Sequence, residues 1–161
     1  MKEAKRIKFL AQSAAVAALY VVITFVASAM GLSSGVVQLR LSETLCVLPI
    51  FMPASVWGLF AGCFLANILT GCIAVDVVCG SIATLIGAVF TRLLRKNRIA
   101  ALLPPIASNT LIVPFVLKYA YGFEGSVLYF MATVGAGELL SCGVLGYLLA
   151  MAIEKQKGLK F

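Results

Sequence analysis

Apolar positions in this chain come in long blocks, and the polar residues collect between them. The first block runs from about Phe9 to Met30 behind a basic preface, and the Gly31 to Gly35 segment ends it. From Val37 to Thr70 no charge follows Glu43, but Pro49 and Pro53 interrupt the run. Proline removes a backbone donor and clashes with the preceding turn. This punctuation predicts a first helix over about 9–30, a short second over 37–52 and a third over 54–70. A fourth covers 75–94. The fifth covers 101–121, with Pro104 and Pro105 where a helix can begin and a kink at Pro114. The sixth covers 126–153. Blocks of this length and apolarity read as membrane spans, and the short second helix is either spanning or re-entrant. The expected fold is all-α: an integral membrane six-helix bundle in one transmembrane domain over residues 1–161, without internal repeats.

Composition agrees with an apolar solvent. Of 161 residues, 62% are hydrophobic and 12% are charged, whereas a soluble domain is nearer half apolar and a quarter charged. The net charge of +7 is concentrated in three clusters: Lys2, Lys5, Arg6 and Lys8; Arg92, Arg95, Lys96 and Arg98; and Lys155, Lys157 and Lys160. Each flanks an apolar block, so the charge sets topology instead of marking a nucleic-acid site. Both termini and the Arg92–Arg98 loop are expected in the cytoplasm, with Ser33, Ser34 and Glu124 outside. The first block is long for a cleaved signal, although Ala27-Ser28-Ala29 offers small residues. A multi-pass protein of the cell membrane follows.

Several chemistries drop out. The chain has no histidine, which removes His metal ligands and His-based triads. Its five cysteines form no CxxC pair and lie in or beside apolar runs, where cysteine serves as a small hydrophobe. No phosphate-binding G-x-x-x-x-G-K-[ST] loop and no Gly-x-Ser-x-Gly elbow occurs. No enzymatic activity, cofactor or metal is expected.

Polar residues inside the apolar blocks are the candidate site. Glu138 lies in the uncharged stretch Gly125 to Ile153, where an ionised carboxylate costs about 3 kcal/mol or more and must face the bundle interior. Asp76 opens the fourth helix, either as an N-cap or as a pocket residue. Arg40 and Glu43, three apart, either pair with each other or serve the same pocket. Asn67 and Asn109 are amides that either glue helices together or contact a ligand. With the predicted topology these six residues converge on the outer half of the membrane. Helix 1 carries Ala11/Ala15 and Ala14/Ala18, small residues four apart that allow close helix approach. Gly58, Gly62 and Ala66 repeat the spacing on helix 3, where packing inside the bundle is the simpler reading.

The run Val37-Gln-Leu-Arg-Leu-Ser-Glu-Thr-Leu45 with Leu48-Pro-Ile-Phe-Met-Pro53 resembles the QueT family of queuosine-precursor transporters. So do Leu65-Ala-Asn-Ile-Leu69, Asp76-Val-Val-Cys-Gly-Ser-Ile-Ala-Thr-Leu85, Asn109 and Val134-Gly-Ala-Gly-Glu-Leu139, in matching order over nearly the whole chain. The resemblance implies a substrate-binding S component of an energy-coupling-factor (ECF) transporter, with six helices and cytoplasmic termini. It implies as partners a transmembrane coupling subunit and two ATPase subunits. The coupling subunit would meet an alanine motif on helix 1, matched best by Ala14/Ala18 and alternatively by Ala11/Ala15. The implied substrate is a 7-deazaguanine such as 7-aminomethyl-7-deazaguanine. Its guanine edge offers paired N–H donors that one carboxylate can accept, and its aminomethyl cation wants a second acid. Glu138 with Asp76 or Glu43 would supply both, and Trp57, Phe51 or Tyr119 would stack on the ring. Competing readings are an S component for another vitamin or base, a self-sufficient secondary transporter using Glu138 as proton relay, and a membrane assembly factor.

Overall fold

The structure, a computed structural model, describes residues 2–31 and 40–157, and no strand occurs among them. α1 (Lys2–Ala29) is followed by a 3₁₀ helix (Leu41–Ile50), α2 (Ala54–Leu69), α3 (Ala74–Leu93) and α4 (Arg98–Phe115). α4 runs on through a π-helical turn, Val116–Ala120. α5 (Val127–Glu138) joins α6 (Gly146–Lys157) through a second π segment, Leu139–Leu145. The bundle has the six expected helices, but four are long and apolar enough to cross a membrane: Lys2–Ala29, Ala74–Leu93, Arg98–Ala120 and Val127–Gln156.

The second helix departs most from expectation. Residues 37–39 lie outside the described residues, as do Ser33, Ser34 and Lys160. The remainder is a ten-residue 3₁₀ helix containing Pro49, about 20 Å long at about 2 Å per residue, short of the roughly 30 Å hydrocarbon core. It touches α1, α2, α3, α4 and α6, and Leu45 to Ile50 are all buried. Such a segment is tolerated at membrane depth because protein surrounds it. Arg92 donates to the Pro49 and Ile50 carbonyls at 3.0 Å each, closing the helix end with a cation. α2, with 16 residues, reaches only about 24 Å.

The outer surface is far more apolar than that of a soluble protein, and polar groups are held inside. Leu128, Leu93 and Ile99 are 76%, 68% and 68% exposed, while Glu43, Asn109, Thr84 and Thr91 are at 0%. The interior holds these polar side chains among apolar ones, while the outer surface is apolar, the arrangement that lipid requires. Close approaches set the packing. A Cβ on Gly58 would lie 2.6 Å from the Ser13 carbonyl oxygen, and one on Gly62 2.8 Å from Tyr20 Cβ. The Gly58/Gly62 pair therefore seats α1 on α2 inside the bundle, the two running parallel. A Cβ on Gly87 would lie 2.6 Å from Pro105 Cα. Pro105 cannot bond the Ala101 carbonyl four residues back, and Thr91 Oγ1 donates to that oxygen instead at 2.8 Å. α4 thus starts a turn and a half ahead of its prolines, with Asn97 as N-cap accepting from the Ala100 N–H at 3.2 Å.

These contacts give the helices of the bundle their direction. The N-terminus of α1, the α3–α4 turn and the C-terminus of α6 gather at one end, tied there by the Arg98–Glu154 ion pair at 2.7 Å. The three basic clusters accordingly share that end, apart from the undescribed Lys160. At the opposite end, α2 closes with left-handed Gly71 (φ 76°), the Gly71 N–H bonding the Ile68 carbonyl and the Cys72 N–H bonding the Asn67 carbonyl. This paired closure fixes Asn67 and Cys72 at the rim of a cavity.

Candidate functional site

A cavity of about 360 Å³ lies at the end away from the basic clusters. Its lining comes from α1 (Tyr20, Thr24, Ala27, Ser28), the start of the 3₁₀ helix (Arg40, Leu41, Ser42) and the end of α2 (Asn67, Thr70, Cys72). Asp76 of α3 and Leu117, Tyr121 and Phe123 after Pro114 complete it. The π turn at Val116–Ala120 ends at left-handed Gly122 (φ 69°), which turns Tyr121 and Phe123 to one side with their rings stacked at 5.7 Å and 7°.

The charges on this wall are arranged differently from either simple reading. Arg40 does not pair with Glu43; its Nη2 lies 3.8 Å from Asp76 Oδ1. Asp76 is not a cap. Ile73 holds that position without a side-chain bond, and Asp76 sits within the first turn of α3, where the helix dipole favours a carboxylate. Tyr121 Oη donates to Asp76 Oδ2 at 3.0 Å and accepts from the Ile73 N–H at 3.4 Å. Gly80, one turn further along α3, leaves room for these groups. A Cβ there would be 3.2 Å from Asn67 Nδ2, 3.5 Å from Asp76 Oδ1 and 3.7 Å from Arg40 Nη1. Guanidinium, carboxylate and amide therefore converge on one small patch.

Three of the six sequence candidates, Arg40, Asn67 and Asp76, line the cavity; Glu43, Asn109 and Glu138 do not. Glu43 lies directly behind it. Tyr20, which lines the cavity, donates its hydroxyl to Glu43 Oε1, Thr84 Oγ1 donates to the same oxygen at 3.3 Å, and the Cys46 thiol donates to Oε2 at 2.8 Å. Glu138 of α5 and Asn109 of α4 are both buried in the bundle interior, close to each other and to Cys142. Glu138 Oε2 and both amide atoms of Asn109 have no hydrogen-bond partner. Buried polar atoms without partners are rare and call for a reason. Glu43, Cys46 and Cys142 offer ligand atoms all within 4.8 Å of one another, the one group among the described residues with that potential.

The aromatic expectations need correction. Trp57 and Tyr119 are 56% and 75% exposed on the outward surface, and Phe51 packs with Tyr147 and Leu149 around Val47 and Ala150. The rings at the cavity are Tyr20, Tyr121 and Phe123. Tyr20 carried a signal in the sequence: a hydroxyl deep in an apolar helix needs a partner. Phe123 and Gly80 carried none. On α1, Ala11, Ala14, Ala15 and Ala18 are all exposed, while Val16, Ala17 and Tyr20 turn inward.

A helical bundle that is apolar outside and holds a charged cavity of ligand size suits a membrane setting and a small molecule. Residues 10–155 match the family model described as QueT transporter, and the chain belongs to that family of membrane transporters. No curated protein and no solved structure matches it.

Proposed function

We propose that the chain is the substrate-binding S component of an ATP-driven ECF importer, and that it takes a queuosine precursor such as 7-aminomethyl-7-deazaguanine. The observation that carries this reading is the convergence of Asp76, Arg40 and Asn67 beside stacked Tyr121 and Phe123, in a chain of this transporter family. Asp76 receives the ammonium arm, the aromatic pair flanks the flat base, and Arg40 donates to its carbonyl oxygen. Glu138, backed by Asn109, accepts the paired N–H groups of the guanine edge once the Tyr20–Glu43 contact that separates it from the cavity gives way, which gives their unpartnered atoms a use. Glu43 holds the Tyr20 hydroxyl between the cavity and this inner pair.

The basic clusters support a cytoplasmic setting for their end of the bundle, with the cavity toward the outside of the cell membrane. The exposed alanines 11, 14, 15 and 18 on α1 form the surface for the transmembrane coupling subunit, with two ATPase subunits beyond it.

Mass spectrometry of small molecules released from the purified protein tests the substrate, and uptake by vesicles with and without the coupling subunits and ATP tests the motor. A bound deazaguanine and strictly ATP-dependent uptake are expected. A released vitamin or base of another class would reassign the S component. Uptake persisting without ATP and partners would favour the second reading, a secondary transporter in which the unpartnered Glu138 carboxylate relays protons.

A further inference from the structure

In the centre of the bundle, behind the cavity, two thiols and a carboxylate are brought together from opposite ends of the sequence. Glu43 and Cys46 sit one turn apart on the 3₁₀ helix, and Cys142 comes from the π segment that follows α5. All three are buried, and their ligand atoms lie within 4.8 Å of one another. Cys46 Sγ is 2.8 Å from Glu43 Oε2, and the Cys142 thiol donates to the Glu43 carbonyl oxygen at 3.1 Å. Thiols are weak donors, so these bonds hold the cluster loosely. They also leave Glu138 unexplained: it is 3% exposed, stands beside Cys142, and has no partner for Oε2.

The geometry points to a site for a zinc-class divalent cation, with Cys46, Cys142 and Glu43 as ligands; Glu138, outside that 4.8 Å group but beside Cys142, completes the set by turning its side chain inward. Tetrahedral zinc, with bonds of about 2.3 Å to sulfur and about 2.1 Å to oxygen, keeps its ligand atoms about 3.4–3.8 Å apart. Reaching that spacing takes opening the Cys46–Glu43 contact by less than about 1 Å and drawing in any ligand pair that stands toward the 4.8 Å limit of the cluster. Two thiolates with two carboxylates suit zinc or cadmium better than the hard, all-oxygen cations magnesium and calcium. Binding replaces each thiol proton by a metal–sulfur bond, and both protons leave to solvent. Tyr20 marks the access route, since its ring lines the cavity and its hydroxyl covers Glu43. The occupied site ties the 3₁₀ helix to the π segment. The site stands independently of the substrate reading; only its competition with a deazaguanine for Glu138 rests on that reading.

Cadmium added to the reduced, full-length protein in detergent tests the site through the ultraviolet absorption of cadmium thiolate and through proton release. One cadmium per chain is expected, with one proton released for each of the two thiols. The signal should survive Cys72→Ser with Cys79→Ser, which removes the two half-buried thiols. Cys46→Ser or Cys142→Ser should weaken binding more than about 100-fold, because even supporting residues around a metal are worth about 10–100-fold. Loss of the signal in the Cys72/Cys79 variant, or its persistence in a Cys46/Cys142 double variant, overturns the site. If the core variants fail to fold, zinc X-ray absorption on the Cys72/Cys79 variant decides: two sulfur ligands support the site and an all-oxygen shell overturns it. Glu138→Gln should lower cadmium affinity, and unchanged affinity removes Glu138 from the ligand set.

Discussion

Replacing Asp76 by asparagine isolates one charge at the cavity. Size, helix position and an acceptor for the Tyr121 hydroxyl are kept, since the Asn carbonyl can take the 3.0 Å bond. What is lost is the negative charge facing Arg40 and the ligand. A hydrogen bond to a charged group is worth about 1.5–3 kcal/mol, which converts to a loss of about 10–150-fold in affinity for 7-aminomethyl-7-deazaguanine. Stability also falls, because Arg40 remains without its partner. The ceiling is about 3–5 kcal/mol for a fully buried pair, lowered here by the 3.8 Å separation and the 18% exposure of the Arg40 side chain. Comparing two ligands cancels that cost. The 7-methyl analogue presents the same base without the ammonium, so its affinity should change little. Isothermal calorimetry on detergent-purified wild type and Asp76→Asn, with both ligands, measures the difference directly. An equal loss for both ligands would refute a specific charge contact, and wild-type affinity for the aminomethyl compound would remove Asp76 from the site.

Glu138→Gln puts an N–H₂ group where the guanine edge needs an acceptor; calorimetry should show at least about a tenfold loss for both ligands, with folding intact because a neutral amide is cheaper than an acid in the membrane. Ala14→Trp and Ala18→Trp, on the exposed face of α1, should block uptake in vesicles carrying the coupling subunits while leaving calorimetric affinity intact; a parallel loss of both would mean that the face serves the bundle itself. Gly62→Ala should lower thermal stability by about 1–3 kcal/mol, since its Cβ would meet the backbone Cα and oxygen of Ala17 at 3.0 and 3.1 Å. An unchanged melting temperature would show that α1 and α2 can separate freely.

Apolar helices bounded by turn residues were legible in the sequence, and the predicted third and fourth helices fall within a residue of α2 and α3. The second helix was misjudged in kind, since an apolar run does not distinguish α from 3₁₀ geometry and the protein that surrounds it lies far away in sequence. The fifth began earlier than its prolines suggested because Thr91, on another helix, satisfies the carbonyl freed by Pro105. The same division holds at the site. Arg40, Asn67 and Asp76 were visible as polar residues that a membrane would not tolerate without a use. Their partners were not: Asp76 meets Tyr121 across 45 positions, and the room for that meeting is left by Gly80, a residue without a side chain.

α1 connects the two surfaces that matter for the proposed cycle. Its inward face carries Tyr20, Thr24, Ala27 and Ser28 at the cavity, and its outward face carries the four alanines nearer the basic end. A 28-residue helix is stiff over this distance, and it is seated on α2 by glycine contacts that leave no slack at Gly58 and Gly62. A partner that displaces the alanine face must therefore either carry α2 along or break the Tyr20 bond to Glu43. The first alternative moves the whole binding unit as one body and keeps the ligand enclosed. The second opens a path from the cavity to Glu43 and alters the charges around Glu138. The close α1–α2 packing favours the first, because separating those helices exposes buried apolar contacts, whereas a rigid rotation within lipid exchanges one apolar surface for another.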